Sequence, residues 1–246
     1  MRALATHAIS RNFGGVQAVA EVSLAIEQGE RRVIIGPNGA GKTTLFNMLS
    51  GSFPVSAGRI ELFERDVTHL AANRRARLGI ARTFQITNLF PRLTVMENLV
   101  LALQALRNER PSVFRSMHAD RKLFERAESL LEKWSLSDIA TRPARTISYG
   151  QQRQIDLMMA LASDPKVLLL DEPMAGLSAA EVIHVVGLIR TLPKEMTILM
   201  IEHDMDVALD LADFVTVLHQ GRAIVEGRPE EVKRHPDVMK IYLGAE

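Results

Sequence analysis

Cysteine is absent from the 246 residues, which excludes disulfides and thiolate chemistry. The seven histidines are scattered without ligand spacing, so a structural metal site is not expected. No apolar run approaches the ~20 residues needed to span a bilayer, and the N-terminus, Met1 to His7, lacks the long apolar core of a signal peptide. Neither charge sign is in excess. The formal net charge is +1, which gives no electrostatic reason to expect nucleic acid as a partner. Internal repeats, linkers and low-complexity segments are missing too. These absences predict a cytosolic protein built as one large domain or two intimately joined lobes. Hydrophobic content of 47% and charged content of 24% are ordinary for such a chain.

What is present is organised around Gly36-Pro37-Asn38-Gly39-Ala40-Gly41-Lys42-Thr43-Thr44. The stretch follows an apolar run, Val33 to Ile35, and precedes a helix-forming run, Leu45 to Leu49. It fits G-x-x-x-x-G-K-S/T in the required setting of strand, glycine loop and helix. A chance match to the four fixed positions in a chain of this size is roughly one in a hundred or rarer. Glycines let successive N–H groups curl into a nest for phosphate oxygens, and the helix N-terminus faces the same anion. In such a loop Lys42 reaches the β- and γ-phosphates and the Thr43 hydroxyl can ligate Mg²⁺. A nucleoside triphosphate is the expected ligand.

Around this stretch the pattern is α/β. Residues 4–32 read as short strands, with Phe13 beside Gly14-Gly15 as either a core aromatic or a stacking surface for a base. Arg74-Arg75-Ala76-Arg77 reads as a solvated helix face. Between about 86 and 147 the chain turns helical. Thr94 to Glu97 forms a capping box, a loop with Pro111 spans about 107–118, and Leu123, Ala127, Leu130, Leu131 and Trp134 share one helical face. Two apolar runs, Val167 to Leu170 and Thr197 to Ile201, read as buried parallel strands. A hairpin over 214–225 and two Pro-started helices complete the chain.

The two buried strands end in chemistry. Asp171 and Glu172 close the first, where open α/β sheets place ligands; Asp171 suits Mg²⁺, and Glu172 suits polarising an attacking water. His203 follows the second strand, positioned to contact a γ-phosphate. Ser148-Tyr149-Gly150-Gln151 opens a helix in Ser-x-x-Gln form, at once a capping box and a second candidate anion site. Two anion sites in one chain suggest that two copies meet around two nucleotides.

In this order and spacing the motifs resemble those of the ATPase subunits of ATP-binding cassette (ABC) transporters, over essentially the whole chain. Residues 36–44 match Walker A, 167–172 Walker B, Gln85 the Q-loop glutamine, 147–151 the signature, His203 the switch histidine and Phe13 the adenine-stacking aromatic. The resemblance implies a P-loop NTPase (RecA-like) α/β core with an antiparallel β subdomain and a helical subdomain inserted at about 86–150, one nucleotide-binding domain over 1–246. It implies ATP and Mg²⁺ as cofactors, with Thr43, Gln85 and Asp171 on the metal. Glu172, His203, Gln85 and Lys42 are the implied catalytic set, and Ser148, Gly150 and Gln151 would complete the opposite copy's site.

Tyr149 stands where the family's Leu-Ser-Gly-Gly-Gln has its first glycine, and Ala175-Gly176-Leu177-Ser178 lacks the usual terminal acid. Arg82-Thr83-Phe84-Gln85, Leu89 to Leu99 and Ile241-Tyr242-Leu243-Gly244 resemble the branched-chain amino-acid uptake ATPases, and the insert with Pro111, Val113 and Phe114 is closer to the longer of their two types. The expected partners are transmembrane permease subunits, an identical or related second ATPase and, indirectly, a periplasmic or extracellular solute-binding protein. The expected location is the cytoplasmic face of the plasma membrane, peripherally. Lipopolysaccharide export, urea or amide uptake, and a soluble cassette acting on ribosomes or DNA are the alternatives.

Overall fold

A computed structural model describes residues 1–83, 89–105 and 121–243. Gln85 and the loop around Pro111 lie outside the described residues. Two compact units result: Met1–Arg82 with Lys166–Glu246, and Thr83–Pro165.

The first unit holds both sheets. Strands β1 (Arg2–Phe13), β2 (Val16–Glu27), β4 (Ala57–Leu62) and β5 (Arg65–Asp66) form an antiparallel sheet in the order β2-β1-β4-β5. The sequence reading of short strands before residue 32 is corrected here, because β1 and β2 each run twelve residues. Local kinks gave the impression of breaks: Ala8 and Glu21 both take positive φ, and the ladder shifts register nearby, as at a bulge.

The second sheet comprises β3 (Arg31–Ile35), β6 (Ile80–Arg82), β7 (Val167–Asp171), β8 (Thr197–Ile201), β9 (Phe214–His219) and β10 (Arg222–Gly227) in the order β10-β9-β3-β8-β7-β6. Every pairing is parallel except the β9–β10 hairpin. β7 and β8 are buried at every position, and both faces of each parallel strand are covered, which is why all but Asp171 and Thr197 are apolar. Between the sheets, α1 (Lys42–Ser50) contributes Leu45, Phe46, Met48 and Leu49 to one apolar cluster with Leu4, Ile9, Leu24 and Ile60 of the antiparallel sheet and Ile34, Leu169 and Leu199 of the parallel one. Burying each such side chain contributes roughly 1.5–3 kcal/mol.

Helix α2 (Ala72–Arg77) corrects a second expectation: Arg75 is fully buried, while Arg74 and Arg77 are exposed. The unit is completed by α6 (Ala179–Arg190), α7 (Met205–Leu211), α8 (Pro229–Lys233) and α9 (Pro236–Leu243). The last two each start on the proline, whose missing N–H is not needed in a first turn.

The second unit is helical: α3 (Val95–Ala105), α4 (Arg121–Lys133) and α5 (Tyr149–Leu161), with two short 3₁₀ turns before α5. Thr94 closes its capping box, accepting from Glu97 N at 3.1 Å while Glu97 Oε2 accepts from Thr94 N at 2.7 Å. Leu123, Ala127 and Leu131 are buried along α4, and Trp134 follows them into the interior. Both α4 and α5 pack on α3. Among the described residues no helix is long and apolar enough to cross a membrane.

Candidate functional site

The glycine loop joins β3 to α1 at the centre of the parallel sheet, with β8 and β9 as the neighbours of β3. Backbone crowding dictates two of its glycines. A Cβ on Gly36 would meet Leu218 O at 2.1 Å, and one on Gly41 would meet Ala18 O at 2.3 Å. Gly41 also has φ +98°, which only glycine adopts cheaply. The Gly221 N–H donates to Ala40 O at 2.9 Å, and Ala20 N donates to Gly221 O at 2.8 Å. The loop is therefore braced from β2 and from the β9–β10 turn.

Lys42 is 6% exposed. Its Nζ donates to Gly36 O at 2.7 Å and Pro37 O at 3.0 Å. Burial holds its ammonium below the usual lysine range, opposed by the Glu172 and Asp171 carboxylates, which favour the charged form. Thr43, Asn38 and Gly39 are exposed, so the loop's outer surface and the α1 N-terminus face solvent.

Asp171 ends β7 and is 1% exposed. Its Oδ2 accepts from Arg82 at 2.7 Å, and the other arm of that guanidinium reaches Asn47 Oδ1 at 2.7 Å and Ser50 Oγ at 3.1 Å on α1. Sequence reasoning cited Arg82 only for its resemblance to relatives; its signal was a cation on an apolar strand. Glu172 follows with φ +48°, a left-handed conformation that costs a non-glycine residue and that clusters at functional sites. Its N–H donates to Ile201 O at 3.0 Å, tying it to the end of β8. His203 is exposed, two residues past the end of β8.

Between β8 and His203 lies Glu202. It is 0% exposed. Burial first, then the nearby Glu172 and Asp204 carboxylates, push its carboxyl up to about 7 against the Met174 and His203 N–H groups. A carboxylate directly after four buried apolar residues, Ile198 to Ile201, was the available signal.

Phe13 is 41% exposed at the end of β1. Its ring meets Phe53 edge-on at 5.7 Å and lies 4.7 Å from the Arg11 guanidinium. In the helical unit, Ser148 caps α5: its Oγ accepts from Gln151 N at 3.1 Å, and Gln151 Oε1 accepts from Ser148 N at 3.0 Å. Ser148 and Tyr149 are exposed, Gly150 is buried, and Arg153 stacks 5.3 Å from the Tyr149 ring.

Lys42, Thr43, Asp171, Glu172 and His203 all lie at or just beyond the carboxyl edge of β3, β7 and β8, where open α/β sheets bind ligands. The donor set fits Mg²⁺, a hard cation commonly held by one or two carboxylates and hydroxyls together with phosphate oxygens.

The ABC transporter family model matches residues 19–175. A second model, described as branched-chain amino acid ATP-binding cassette transporter, matches residues 224–246. The chain is 39% identical to the high-affinity branched-chain amino acid transport ATP-binding protein LivG of Salmonella typhimurium, covering 98% of this chain and 97% of LivG. It is 38% identical to BraF of Pseudomonas aeruginosa, which carries the same description, covering 96% and 95%. Among solved structures it resembles the ADP conformation of MJ1267, an ATP-binding cassette of an ABC transporter, with TM-score 0.88, 32% identity and full coverage of both chains. A glycine loop on the central parallel strand, acids and a histidine at neighbouring strand ends, and full-length kinship with these cassettes lead to one conclusion: the chain belongs to the ABC transporter family as an ATP-binding protein.

Proposed function

We propose that this chain is the ATP-hydrolysing motor subunit of an importer for branched-chain or related amino acids, working peripherally on the cytoplasmic face of the membrane. The convergence of Lys42, Glu172 and His203 on one sheet edge carries the motor reading. The match of residues 224–246 to the branched-chain cassette model and the names of the full-length relatives support the cargo.

On this reading the loop from Gly36 to Thr44 cradles the phosphates of ATP through its N–H groups and the α1 N-terminus. Lys42 exchanges the Gly36 and Pro37 carbonyls for phosphate oxygens, which match its charge better. Phe13 stacks on the base. Thr43, Asp171 and Gln85 would hold Mg²⁺, which neutralises phosphate charge when bound. Glu172 accepts a proton from the attacking water, and His203 contacts the γ-phosphate. Ser148, Gly150 and Gln151 present the α5 N-terminus to the nucleotide of a second ATPase subunit, identical or related, so two sites close only when two chains meet. Closure drives permease subunits that receive cargo from a solute-binding protein, and hydrolysis reopens them. The chain is one nucleotide-binding domain, with the helical unit interrupting its α/β core.

The test is to purify the tagged chain from gently solubilised membranes. Two polytopic subunits and a second ATPase are expected, with ATP turnover stimulated by a binding protein loaded with leucine, isoleucine or valine. Recovery of soluble partners alone would overturn the transport reading and leave the ATPase chemistry standing.

A further inference from the structure

Glu202 is a buried carboxylate to which the proposed hydrolysis gives no task. An apolar side chain of similar volume would satisfy this position more cheaply, since it would bring no charge into a dry interior. Instead the residue is held by two specific hydrogen bonds, one to β3 and one to the turn after β7. Its N–H donates to Ile34 O at 3.3 Å, on the strand that feeds the glycine loop. Its Oε1 accepts from Met174 N at 3.2 Å, in the turn immediately after Glu172. Its own peptide leads directly into His203.

The turn it reaches is one that needs holding. Glu172 takes φ +48°, and beyond its own N–H bond to Ile201 O the turn is closed by Ala175 N to Glu172 O at 3.1 Å and Leu177 N to Met174 O at 3.2 Å. Left-handed backbone at a glutamate persists only where its surroundings over-determine it. Glu202 is the side chain that supplies such a constraint from β8. Its second oxygen, Oε2, is buried without a hydrogen-bond partner among the described residues, so the carboxyl is held through the Met174 N–H, with the His203 N–H beside it.

We infer that Glu202 is a positioning residue, fixing the turn that bears Glu172 against the strand end that bears His203 so that both reach one phosphate together. The inference rests on the proposed hydrolytic roles of those two residues. Reach, not charge, is what the geometry requires. The raised pKa agrees, because near neutral pH much of the side chain is the uncharged acid, which still offers a carbonyl oxygen to Met174.

Two conservative variants separate reach from charge in the full chain. Glu202→Gln keeps the length and an acceptor oxygen but no charge. Glu202→Asp keeps the charge but falls one methylene short. Glu202→Gln should retain turnover within about threefold, whereas Glu202→Asp should lose about tenfold or more in kcat, with KM and ATP Kd shifted less than about threefold. Aspartate as active as glutamate, glutamine as poor as aspartate, or a kcat loss no larger than the loss of folded protein would each overturn the inference. Glu172→Gln and His203→Ala serve as controls. If neither lowers kcat, the reading of the site itself fails and the inference fails with it; if both do while Glu202→Asp is normal, the inference alone falls.

Discussion

Replacing Arg75 by methionine should destabilise the first unit without touching the nucleotide chemistry. The side chain is 2% exposed. Its Nη1 donates to Met48 O at 2.6 Å and Leu49 O at 2.7 Å, its Nη2 to Thr68 O at 3.0 Å and its Nε to Leu70 O at 3.0 Å. Two of these carbonyls end α1, where the helix dipole is negative and a cation is favoured. Burial pushes the guanidinium down to about 10, partly offset by Asp66, so it stays charged at neutral pH.

Methionine fills similar space and removes that desolvation cost, yet leaves four carbonyls short of a donor. Gly51 N still reaches Met48 O at 3.2 Å, so three of the four lose most. At ~1 kcal/mol or more for each orphaned group the net loss is about 3 kcal/mol, or roughly 6–12 °C in Tm for a chain of this size. Lysine should fall between, having charge but no fork. Thermal unfolding followed by circular dichroism measures both. A methionine variant within about 2 °C of the parent, or a lysine variant no better than methionine, would refute this account of the buried arginine.

Lys42→Ala should abolish tight ATP binding, and titration calorimetry showing unchanged affinity would contradict the phosphate role of the loop. Glu172→Gln should bind ATP yet barely turn over, accumulating a closed dimer in gel filtration; parental hydrolysis rates would remove Glu172 from the chemistry. Glu202 should also make stability depend on pH. Its carboxyl titrates near 4.5 when unfolded and is raised to about 7 when folded, so in that window the folded chain holds the extra proton and stability falls as pH rises. The full effect is on the order of 3 kcal/mol, absent at pH 4.5 and complete above 7, and Glu202→Gln should lack it. Urea midpoints of the two proteins at pH 5 and pH 8 decide the matter, and a gap that does not widen in favour of the glutamine variant at pH 8 would refute the shift.

What the sequence disclosed was local. The glycine loop is legible because its strand, turn and helix are contiguous. The Thr94–Glu97 and Ser148–Gln151 capping boxes are both formed, since each needs only residues three apart. Buried strands β7 and β8 announced themselves as unbroken apolar runs. The misreadings were non-local. Nothing in Arg74-Arg75-Ala76-Arg77 says that the second arginine turns inward to carbonyls some 26 residues earlier. Arg82 meets an aspartate 89 residues later, and Glu202 meets a turn 28 residues before it. Long polar side chains that bridge distant backbone segments leave no periodicity, so their partners are visible only once the sheet order is known.

Those bridges also shape how the proposed site would take its ligands. Lys42 already holds two carbonyls and Asp171 already holds Arg82. Binding at these groups is therefore an exchange of partners, and its net energy is the difference between two sets of bonds. For Lys42 the exchange favours phosphate, because a charged acceptor forms the stronger bond. For Asp171 the sign differs. A bare divalent cation brought to this carboxylate meets the neighbouring Arg82 guanidinium, and in a site this buried that repulsion is poorly screened. The phosphates of ATP bring the negative charge that reverses the balance. On the proposed reading Asp171 would hold the cation only together with the nucleotide, and Arg82 bonds Asn47 and Ser50 of α1 as well as Asp171, which links that carboxylate to the helix that carries Lys42 and Thr43.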